Sequence, residues 1–305
     1  MNEPLVSVVI VNWNKKSDLK KAIESIYDQT YQNIEIIVVD NHSTDGSIEM
    51  VQKDFLNVKL IIMPDSDYGA CETINIGMVN TVGEFVVVMD NDAILEKDWI
   101  ELAVKNFNEN DKIGAIGSKV VNYYSKKAEW YHARPVEEWQ DKEFKTSQFH
   151  GAAAAFRKSV LDEVGYYPKE YFLYENEFAL GAKIINAGYD VIYCPNVVAY
   201  HKATYKTISK RVVYYGTRNK LWNALMYLPA KTAINSGFKV LVIDGSVLIV
   251  KFKGRYIKSY LKALIVVIFM SPKILVNRQA ISTLGVIDYP PTKSWSEIWR
   301  IYRSK

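Results

Sequence analysis

Two carboxylates stand one residue apart where an apolar segment of the sequence ends. The segment "GEFVVVMDNDAIL" runs from apolar residues directly into Asp90, Asn91 and Asp92. Like charges at such a place repel each other and are costly to remove from water. A divalent cation would explain them, because hard cations prefer oxygen ligands. A helix that begins just afterwards, capped by Asp92 or Asn91, would explain them too, and the residues alone leave both explanations open.

Other groups that could do chemistry stand at the ends of other predicted elements. Asp40 ends a second apolar segment. Glu175 and Glu177 lie at the start of a predicted helix, where a carboxylate can serve as a general base or simply complement the helix dipole. His201 closes a later strand, and a single histidine is more often structural than a ligand. The positions of these groups in the fold must decide.

The elements that must position these groups alternate between strand and helix. The apolar runs "VSVVIVN", "IEIIVVD", "VKLII" and "FVVVMD" predict four buried strands, and segments with helical spacing separate them. This alternation predicts an α/β fold with a doubly wound, mostly parallel sheet. The carboxyl ends of such strands share one edge, so we expect Asp40, Asp90 and Asp92 to meet around one crevice.

The sequence has no loop of the kinds that cradle phosphates. It contains neither a GxGxxG after the first strand, which ends at Asn12-Trp13-Asn14, nor a GxxxxGK[ST]. This argues against a Rossmann dinucleotide site and a P-loop. A diphosphate ligand would then need a cation, which we expect on Asp92. The Asp and His ligand types suit both Mg²⁺ and Mn²⁺.

The charge of the chain is divided unevenly, although the net charge is only +4. Residues 201–305 hold 19 basic and 3 acidic residues, a balance of +16, which leaves −12 for residues 1–200. Basic residues interrupt apolar runs in this tail, and no uncharged stretch reaches the ~18–20 residues of a spanning helix. The pattern favours segments that lie in the interface of an anionic membrane over nucleic-acid binding. A soluble helical cap and a re-entrant hairpin remain alternatives.

The division of charge also suggests where the domains lie. We expect one domain over residues 1–205, with two parts over 1–92 and 93–205. A basic, apolar, helical extension is expected over 206–305. The N-terminal apolar run has the length of a strand and lacks a basic region before it, and the two cysteines form no framework. These features predict a cytoplasmic protein attached to the inner face of the cell membrane.

Several ordered segments, covering roughly residues 5–220, resemble family 2 glycosyltransferases, which have the GT-A fold. "VSVVIVNWN" is similar to the opening strand of the family, and "VVDNHSTDGS" to the turn whose Asp contacts the nucleobase. "MDNDAIL" resembles the DxD motif. "GYYPKEYFLYENEFALGAKIINAGYDVIYCPNVVAYH" resembles the block that carries the catalytic base and ends in a His. "YYGTRNKLW" is similar to a segment of the rhamnosyltransferase-like enzymes of surface-polysaccharide assembly.

The resemblance implies a role for each matching residue. Asp92 and His201 would bind the cation, and Glu177 would be the catalytic base at a position where the family commonly reads Glu-Asp and this chain reads Asn176-Glu177. A later Asp of the family falls on Ala179. The remaining substrate contacts are expected at Asn12, Asn14, Asp40, Gly69, Asn75, Asp90, Asn91, Gly151, Asn176 and Arg218.

The resemblance further implies an inverting transfer of a sugar from a nucleotide-diphosphate sugar to a saccharide acceptor. Residues 1–205 would then be the catalytic domain, with a donor half over 1–92 and an acceptor half over 93–205. The acceptor hydroxyl attacks opposite the leaving diphosphate while Glu177 takes its proton. A membrane-bound enzyme would meet an acceptor on a lipid carrier, and a homo-oligomer remains open. The alternative is a non-catalytic subunit that keeps the fold and binds the nucleotide sugar, which Asn176 and Ala179 favour. A nucleotidyltransferase and a processive synthase lack their motifs here.

Overall fold

Residues 3–132, 134–203, 208–250 and 252–281 are described by the structure, which is a computed structural model. The part of the predicted extension from 282 to 305 lies outside the described residues. The described residues form a nine-stranded sheet with helices on both faces, followed by a group of helices. The predicted α/β architecture is confirmed.

The first part of the chain alternates strand and helix. The strands are β1 (Val6–Asn12), β2 (Ile34–Asp40), β3 (Val58–Ile62) and β4 (Phe85–Asp90). Between them lie α1 (Lys16–Tyr27), α2 (Ser47–Asp54) and α3 (Ala70–Val79). The strands pair in parallel in the order β3-β2-β1-β4. Their Val- and Ile-rich sequences are buried on both faces, as expected for a parallel sheet covered by helices.

The second part of the chain extends the same sheet with mixed pairing. Its elements are β5 (Ala93–Leu95), α4 (Trp99–Glu109), β6 (Ile113–Asn122), α5 (Val136–Trp139), β7 (Phe144–Lys145), β8 (Ala153–Arg157), α6 (Lys158–Val164), α7 (Asn176–Asn186) and β9 (Asp190–His201). β8 is antiparallel to β4 and β6, whereas β9 is parallel to β6. β9 is one long strand whose pairing with β6 has two register irregularities.

The element that follows the two carboxylates decides between the explanations left open above. β5 begins at Ala93, directly after Asp92, and the next helix begins only at Trp99. Neither Asp92 nor Asn91 therefore caps a helix. The cap explanation is wrong because the chain continues as a strand that pairs with β9.

The helices after the sheet pack against one another and leave an apolar side exposed. They are α8 (Lys210–Tyr227), α9 (Ala230–Phe238), α10 (Gly245–Val250) and α11 (Ile257–Val276), with a π-helical segment at Lys239–Asp244 joining α9 to α10. In α11 the buried residues are Tyr260, Ala263, Val267 and Ile274. The large apolar residues exposed on α11 are Leu261, Ile265, Ile268, Phe269, Leu275 and Val276.

The helical segments 230–250 and 257–276 are also long and apolar enough to cross a membrane, judged by length and composition. The expectation that apolar runs in the extension are too short to span is therefore wrong for these two segments. Isolated charged residues such as Asp244 and Lys262 lie within continuous helical structure and do not end it. Only 33% and 22% of the two segments is buried in the protein. They are not core helices, because core helices are covered on all sides.

Candidate active site

Side-chain hydrogen bonds tie together the carboxyl ends of β1, β2 and β4. The Asn12 amide donates to Asp40 Oδ2 at 2.7 Å, and the Asn91 amide donates to Asn12 Oδ1 at 2.7 Å. The Ser43 N–H donates to Asp40 Oδ1 at 2.6 Å. Asp40 has an exposed fraction of 0%. The carboxylate for which the resemblance implies a nucleobase contact thus faces inward here, and it holds the turn that follows β2.

Three other residues predicted to contact substrate join neighbouring segments of the chain. Asn14 has a positive φ of 51° and accepts a 2.8 Å hydrogen bond from the loop after β2. A Cβ on Gly69 would lie 2.6 Å from the Phe172 ring, so only glycine permits this approach. The Asn75 amide donates to the Tyr167 carbonyl at 2.7 Å. Gly69 and Asn75 therefore hold the first part of the sheet and the segment before α7 in contact.

Asp90, Asp92 and His201 converge at the edge of the sheet. The antiparallel pairing of β5 with β9 sets Ala93 opposite His201, which brings the imidazole next to the carboxylates. His201 Nε2 lies 3.4 Å from Asp92 Oδ1 and 3.9 Å from Asp90 Oδ2. The register of a short strand, rather than proximity in sequence, therefore builds this cluster.

The donor atoms of this cluster fit a divalent cation. One oxygen from each carboxylate and one imidazole nitrogen all lie within 4.8 Å of one another. The Asp92 and His201 side chains are 10% and 12% exposed, whereas that of Asp90 is 49% exposed toward the cleft. Mg²⁺ and Mn²⁺ accept carboxylate ligands and leave positions for phosphate oxygens, and imidazole is tolerated by Mn²⁺.

Positive side chains compensate the two carboxylates in this structure. Burial disfavours ionisation at Asp92, but hydrogen bonds from His201 and Lys15 hold its pKa well below the usual range. The pKa of Asp90 is raised above its ordinary value, because neighbouring protein atoms limit the solvation of its charge and Asp92 lies close by. Burial opposes the charged form of His201, yet its hydrogen bonds to Asp92 and Glu129 raise its pKa to about 10. Lys15 was not predicted, because nothing in its spacing links it to Asp92.

A buried network on the far side of His201 was also missed. His201 Nδ1 lies 2.8 Å from Glu129 Oε2, and His150 Nε2 lies 3.1 Å from the same oxygen. The Asn122 amide donates to the other Glu129 oxygen at 2.7 Å. Glu129 comes from a segment without hydrophobic periodicity, far from His201 in sequence. Nothing in the polar, aromatic sequence around Glu129 predicts this contact.

Glu177 forms a second reactive position, in the first turn of α7. Burial, together with the nearby Glu175 and Asp90 carboxylates, raises the pKa of Glu177 to about 7. A Cβ on residue 151 would lie 2.5 Å from Glu177 Oε1, so the absence of a side chain at Gly151 makes room for this carboxylate. The side chain of Asn176 is buried and is hydrogen-bonded to Glu177. A carboxylate with this pKa can exchange a proton near neutral pH.

The loop before α7 is strained and is held by α8. Phe172, Tyr174 and Glu175 all have positive φ, at 63°, 67° and 61°. Such φ values are unfavourable for residues other than glycine, so neighbouring structure must maintain them. The Asn219 amide donates to the carbonyls of Tyr171, Leu173 and Tyr174 at 3.0, 2.8 and 2.8 Å.

Arg218 contributes to the same anchor. Its guanidinium donates to the carbonyls of Glu170 and Tyr171 at 2.7 and 2.9 Å, and its side chain is buried. The Asn223 amide adds a hydrogen bond to the Glu175 carbonyl at 2.9 Å. The substrate contact predicted for Arg218 stays a prediction, whereas the contacts in the structure are with the loop that precedes Glu177.

The structure thus provides two groups that can do chemistry. A cluster that can hold a cation stands at the ends of β4 and β9, and an ionisable carboxylate stands at the start of α7. Asp90 contributes to the raised pKa of Glu177, so the two groups interact electrostatically. The arrangement can stabilise a departing diphosphate on one side while it removes a proton from an incoming hydroxyl on the other.

Comparison with known proteins identifies relatives over much of the described chain. Residues 7–165 match the family described as Glycosyl transferase family 2. An uncharacterized glycosyltransferase of Haemophilus influenzae is 38% identical over 120 residues, a match that spans 38% of this chain and 37% of the relative. The chain thus spans well under half the length of that curated relative. The O-antigen chain rhamnosyltransferase RfbN of Salmonella typhimurium is 26% identical over 225 residues, 70% of this chain and 71% of that protein.

Solved structures confirm the fold. The mannosyltransferase PcManGT from Pyrobaculum calidifontis, in complex with GDP-Man and Mn²⁺, aligns with a TM-score of 0.62 and 20% sequence identity. The alignment covers 99% of this chain and 85% of that one. This likeness supports the GT-A fold predicted from the sequence, and it extends across the sheet and the helices that follow it.

Proposed function

The chain belongs to glycosyl transferase family 2, and from that premise we propose that it moves a sugar from a nucleotide-diphosphate sugar to a saccharide acceptor with inversion at the anomeric carbon. The observation that carries the proposal is a cluster able to hold a cation together with a separate carboxylate, Glu177, whose pKa is near neutral and is raised in part by Asp90 of that cluster. A binding subunit would need the first group and would have no use for the second.

The donor is proposed to lie against the carboxyl ends of β1, β2 and β4. Asp92 and His201 would hold the divalent cation, with Asp90 beside them. When bound, this cation supplies neutralisation of the charge that develops on the departing nucleoside diphosphate. The buried hydrogen bonds among Asn12, Asp40 and Asn91 keep the floor of this pocket rigid. PcManGT, whose complex contains both GDP-Man and Mn²⁺, is a precedent for this combination of ligands.

The acceptor is proposed to approach from the side of α7. Glu177 would accept the proton of the attacking hydroxyl, and the raised pKa favours that task because a base works best when its pKa lies near the working pH. Gly151 leaves room beside the carboxylate. Attack opposite the diphosphate gives inversion, since a single displacement reverses the anomeric centre.

The acceptor is further proposed to be a saccharide on a lipid carrier. The apolar side chains exposed on α9 to α11 and the basic residues around them support attachment to the inner face of the cell membrane. Lys253 and Arg255 are exposed between the two apolar segments, and Lys258 is exposed in the first turn of the second. The transferred sugar is proposed to be a hexose or deoxyhexose, which the similarity to an O-antigen chain rhamnosyltransferase supports.

Purified full-length chain with a panel of nucleotide sugars, each with and without Mn²⁺, tests this function. Ligand binding to the folded state should raise the thermal midpoint for the true donor, and the rise should depend on Mn²⁺. Slow hydrolysis of that donor should accompany it. Binding without any turnover, in the presence of membrane extract as acceptor source, would instead favour the non-catalytic subunit.

The cation ligands are tested by substituting Asp92. We expect Asp92→Ala to abolish transfer and to leave the fold intact, because the change removes an oxygen ligand at the edge of the cleft. Circular dichroism and a thermal midpoint establish the fold, and transfer at several Mn²⁺ concentrations establishes the loss. Undiminished transfer, or full wild-type activity in excess chelator, would contradict the metal dependence.

A further inference from the structure

Glu129 is a buried carboxylate that lies outside the two reactive positions. Its side chain is 6% exposed, and it comes from the segment between β6 and α5. Burying a carboxylate is costly unless hydrogen bonds compensate it. Here Asn122, His150 and His201 all point polar atoms at Glu129, at 2.7, 3.1 and 2.8 Å. Because burying this carboxylate is energetically costly, we expect it to have a specific role in the structure or the site.

The hydrogen bonds of His150 define how the network shares its protons. The Ala152 N–H donates to His150 Nδ1 at 3.0 Å, so that nitrogen must be an acceptor. The proton of the neutral ring is then on Nε2, from which it donates to Glu129 Oε2. Neither nitrogen of His150 is left to bind a metal. Glu129, His150 and His201 satisfy the distances of a metal cluster, but these contacts make the group an internal hydrogen-bond network instead.

The ring of His201 lies between this network and the two aspartates. Its Nδ1 points to Glu129, and its Nε2 points to Asp92 at 3.4 Å and Asp90 at 3.9 Å. A carboxylate that accepts the Nδ1 proton fixes the ring orientation and leaves Nε2 as the nitrogen that can coordinate a metal. The carboxylate–histidine–metal arrangement is a general way in which proteins orient a ligand and raise its basicity.

We propose that Glu129 is a positioning residue for the cation site: it holds His201 so that Nε2, rather than Nδ1, faces the cation bound by Asp90 and Asp92. His150 and Asn122 in turn hold Glu129. This inference rests on the proposed metal dependence of the function, and it adds a third carboxylate that never touches the cation, the donor or the acceptor.

Replacement of the carboxylate by its amide tests the proposal in the full-length chain. Glu129→Gln preserves the shape of the side chain but removes the charge that orients His201. We expect the concentration of Mn²⁺ at half-saturation to rise by ~10–100-fold, the usual effect of removing a group that supports a metal ligand. Turnover at saturating Mn²⁺ should recover most of its wild-type value. Glu137→Gln, an exposed residue in α5, is the matched control and should leave Mn²⁺ binding unchanged.

Mn²⁺ binding is measured without donor or acceptor, from the loss of the electron paramagnetic resonance signal of hydrated Mn²⁺. The readout separates two failures. If the wild-type chain binds no Mn²⁺, the proposed metal site and this inference both fall. If the wild-type chain binds Mn²⁺ and Glu129→Gln binds it equally well, only the inference falls. Should Glu129→Gln not fold, Glu129→Asp replaces it, since the shorter carboxylate withdraws from His201; unchanged affinity there overturns the proposal as well.

A double-mutant cycle shows whether Glu129 acts through His201. His201→Ala should weaken Mn²⁺ binding by itself, and adding Glu129→Gln to it should cause no further loss, because the positioned ring is already gone. Equal and additive losses from the two changes would mean that Glu129 affects the site by another route, and would overturn its assignment as the residue that positions His201.

Discussion

Glu177 is the residue on which the proposed chemistry depends most directly. It stands in the first turn of α7, and Gly151 and the side chain of Asn176 lie against its carboxylate. Burial raises its pKa to about 7, with Glu175 and Asp90 adding to the effect. A carboxylate in ordinary surroundings would be a weaker base at neutral pH. The local environment thus suits this side chain to accepting a proton.

Glu177→Gln should lower turnover by ~10²–10⁴-fold, the usual contribution of a general base, because an amide cannot accept the proton. Donor affinity, measured by calorimetry, should barely change. Glu175→Gln is the matched control from the same turn, and we expect it to have a much smaller effect. If Glu175→Gln proves to be the crippling change, the base has been assigned to the wrong carboxylate.

The pH dependence of the reaction rate should reflect the ionisation of Glu177. Because the pKa of Glu177 is raised to about 7, the base is protonated and inactive below that pH and ionised above it. The rate should therefore rise about tenfold per pH unit below about pH 7 and level off above it, when donor and cation are saturating. The residual rate of Glu177→Gln should lack this ascending limb; a limb that persists in the variant would assign it to another group.

The two reactive positions differed in how far the sequence could reveal them. Asp90 and Asp92 follow a strongly patterned strand, so the general rule for strand ends placed them at one edge of the sheet. His201 was assigned to the cation only through the resemblance, since the pairing of β5 with β9 that places it cannot be read from the sequence. Glu129, His150 and Lys15 reach the same place through contacts between distant segments that carry no periodicity. The resemblance implied substrate contacts for Asn12 and Arg218. In the structure both side chains are buried and bond other parts of the protein, which the sequence does not show.

Helix α8 acts as the element that holds the loop before the base. Asn219 bonds three carbonyls of a segment that contains three non-glycine residues with positive φ. Without those hydrogen bonds the strained backbone has little reason to keep its conformation. The orientation of the first turn of α7 therefore depends on the helix that also carries Arg218, for which the resemblance implies a substrate contact.

Asn219→Ala should lower the free energy of unfolding by about 1–3 kcal/mol, the cost of leaving buried polar groups unsatisfied. Turnover should fall by up to about 10²-fold, since a shift of ~1 Å in a catalytic group can have that effect. Mn²⁺ affinity should not change, because the cation cluster lies on β4 and β9. Asn186→Ala, which removes one exposed hydrogen bond to Gln279, is the matched control. Wild-type turnover in a folded Asn219→Ala protein would contradict the anchoring role.

The molecule as a whole is asymmetric in charge and in exposed apolar surface. The sheet carries the acidic residues of the cleft, whereas residues 201–305 have a balance of +16. Large apolar side chains are exposed along α9 to α11, among them Phe269 at 79% and Ile268 at 69%. A surface of this kind on a water-soluble face would promote association. An anionic membrane would attract the basic residues and bury the apolar side chains.

Replacing Ile268 and Phe269 together by Glu should release the protein from anionic vesicles in a flotation assay. The reason is that both side chains are exposed and can insert, and the added charges are repelled by the lipid. Stability should change little, since neither residue is buried. Leu56→Glu, at a residue 84% exposed on the opposite part of the fold, is the control and should float as the wild-type chain does.

Salt separates insertion from simple attraction. The electrostatic contribution is screened over a Debye length of ~8 Å at physiological ionic strength, whereas the apolar contribution is not. Wild-type protein should therefore stay largely bound in high salt. Failure of the wild-type chain to float even at low salt would make the helices a soluble cap or an oligomer interface, and the lipid-linked acceptor would lose its main support.

The contacts of Gly69 with Phe172 and of Asn75 with Tyr167 have a consequence for hybrid enzymes. Donor and acceptor preferences could be recombined by joining the first 92 residues of one relative to the remainder of another. Such a chimera would join β4 of one parent to β8 of the other, where Val87, Val88 and Met89 pair with three alanines. The first contact needs glycine at position 69, since any side chain there collides with the Phe172 ring and carbonyl. The second needs only Asn75, because its amide bonds the backbone N–H and carbonyl of residue 167. Gly69 and Asn75 are thus the residues of the first 92 that a designer of new sugar linkages on this scaffold must retain.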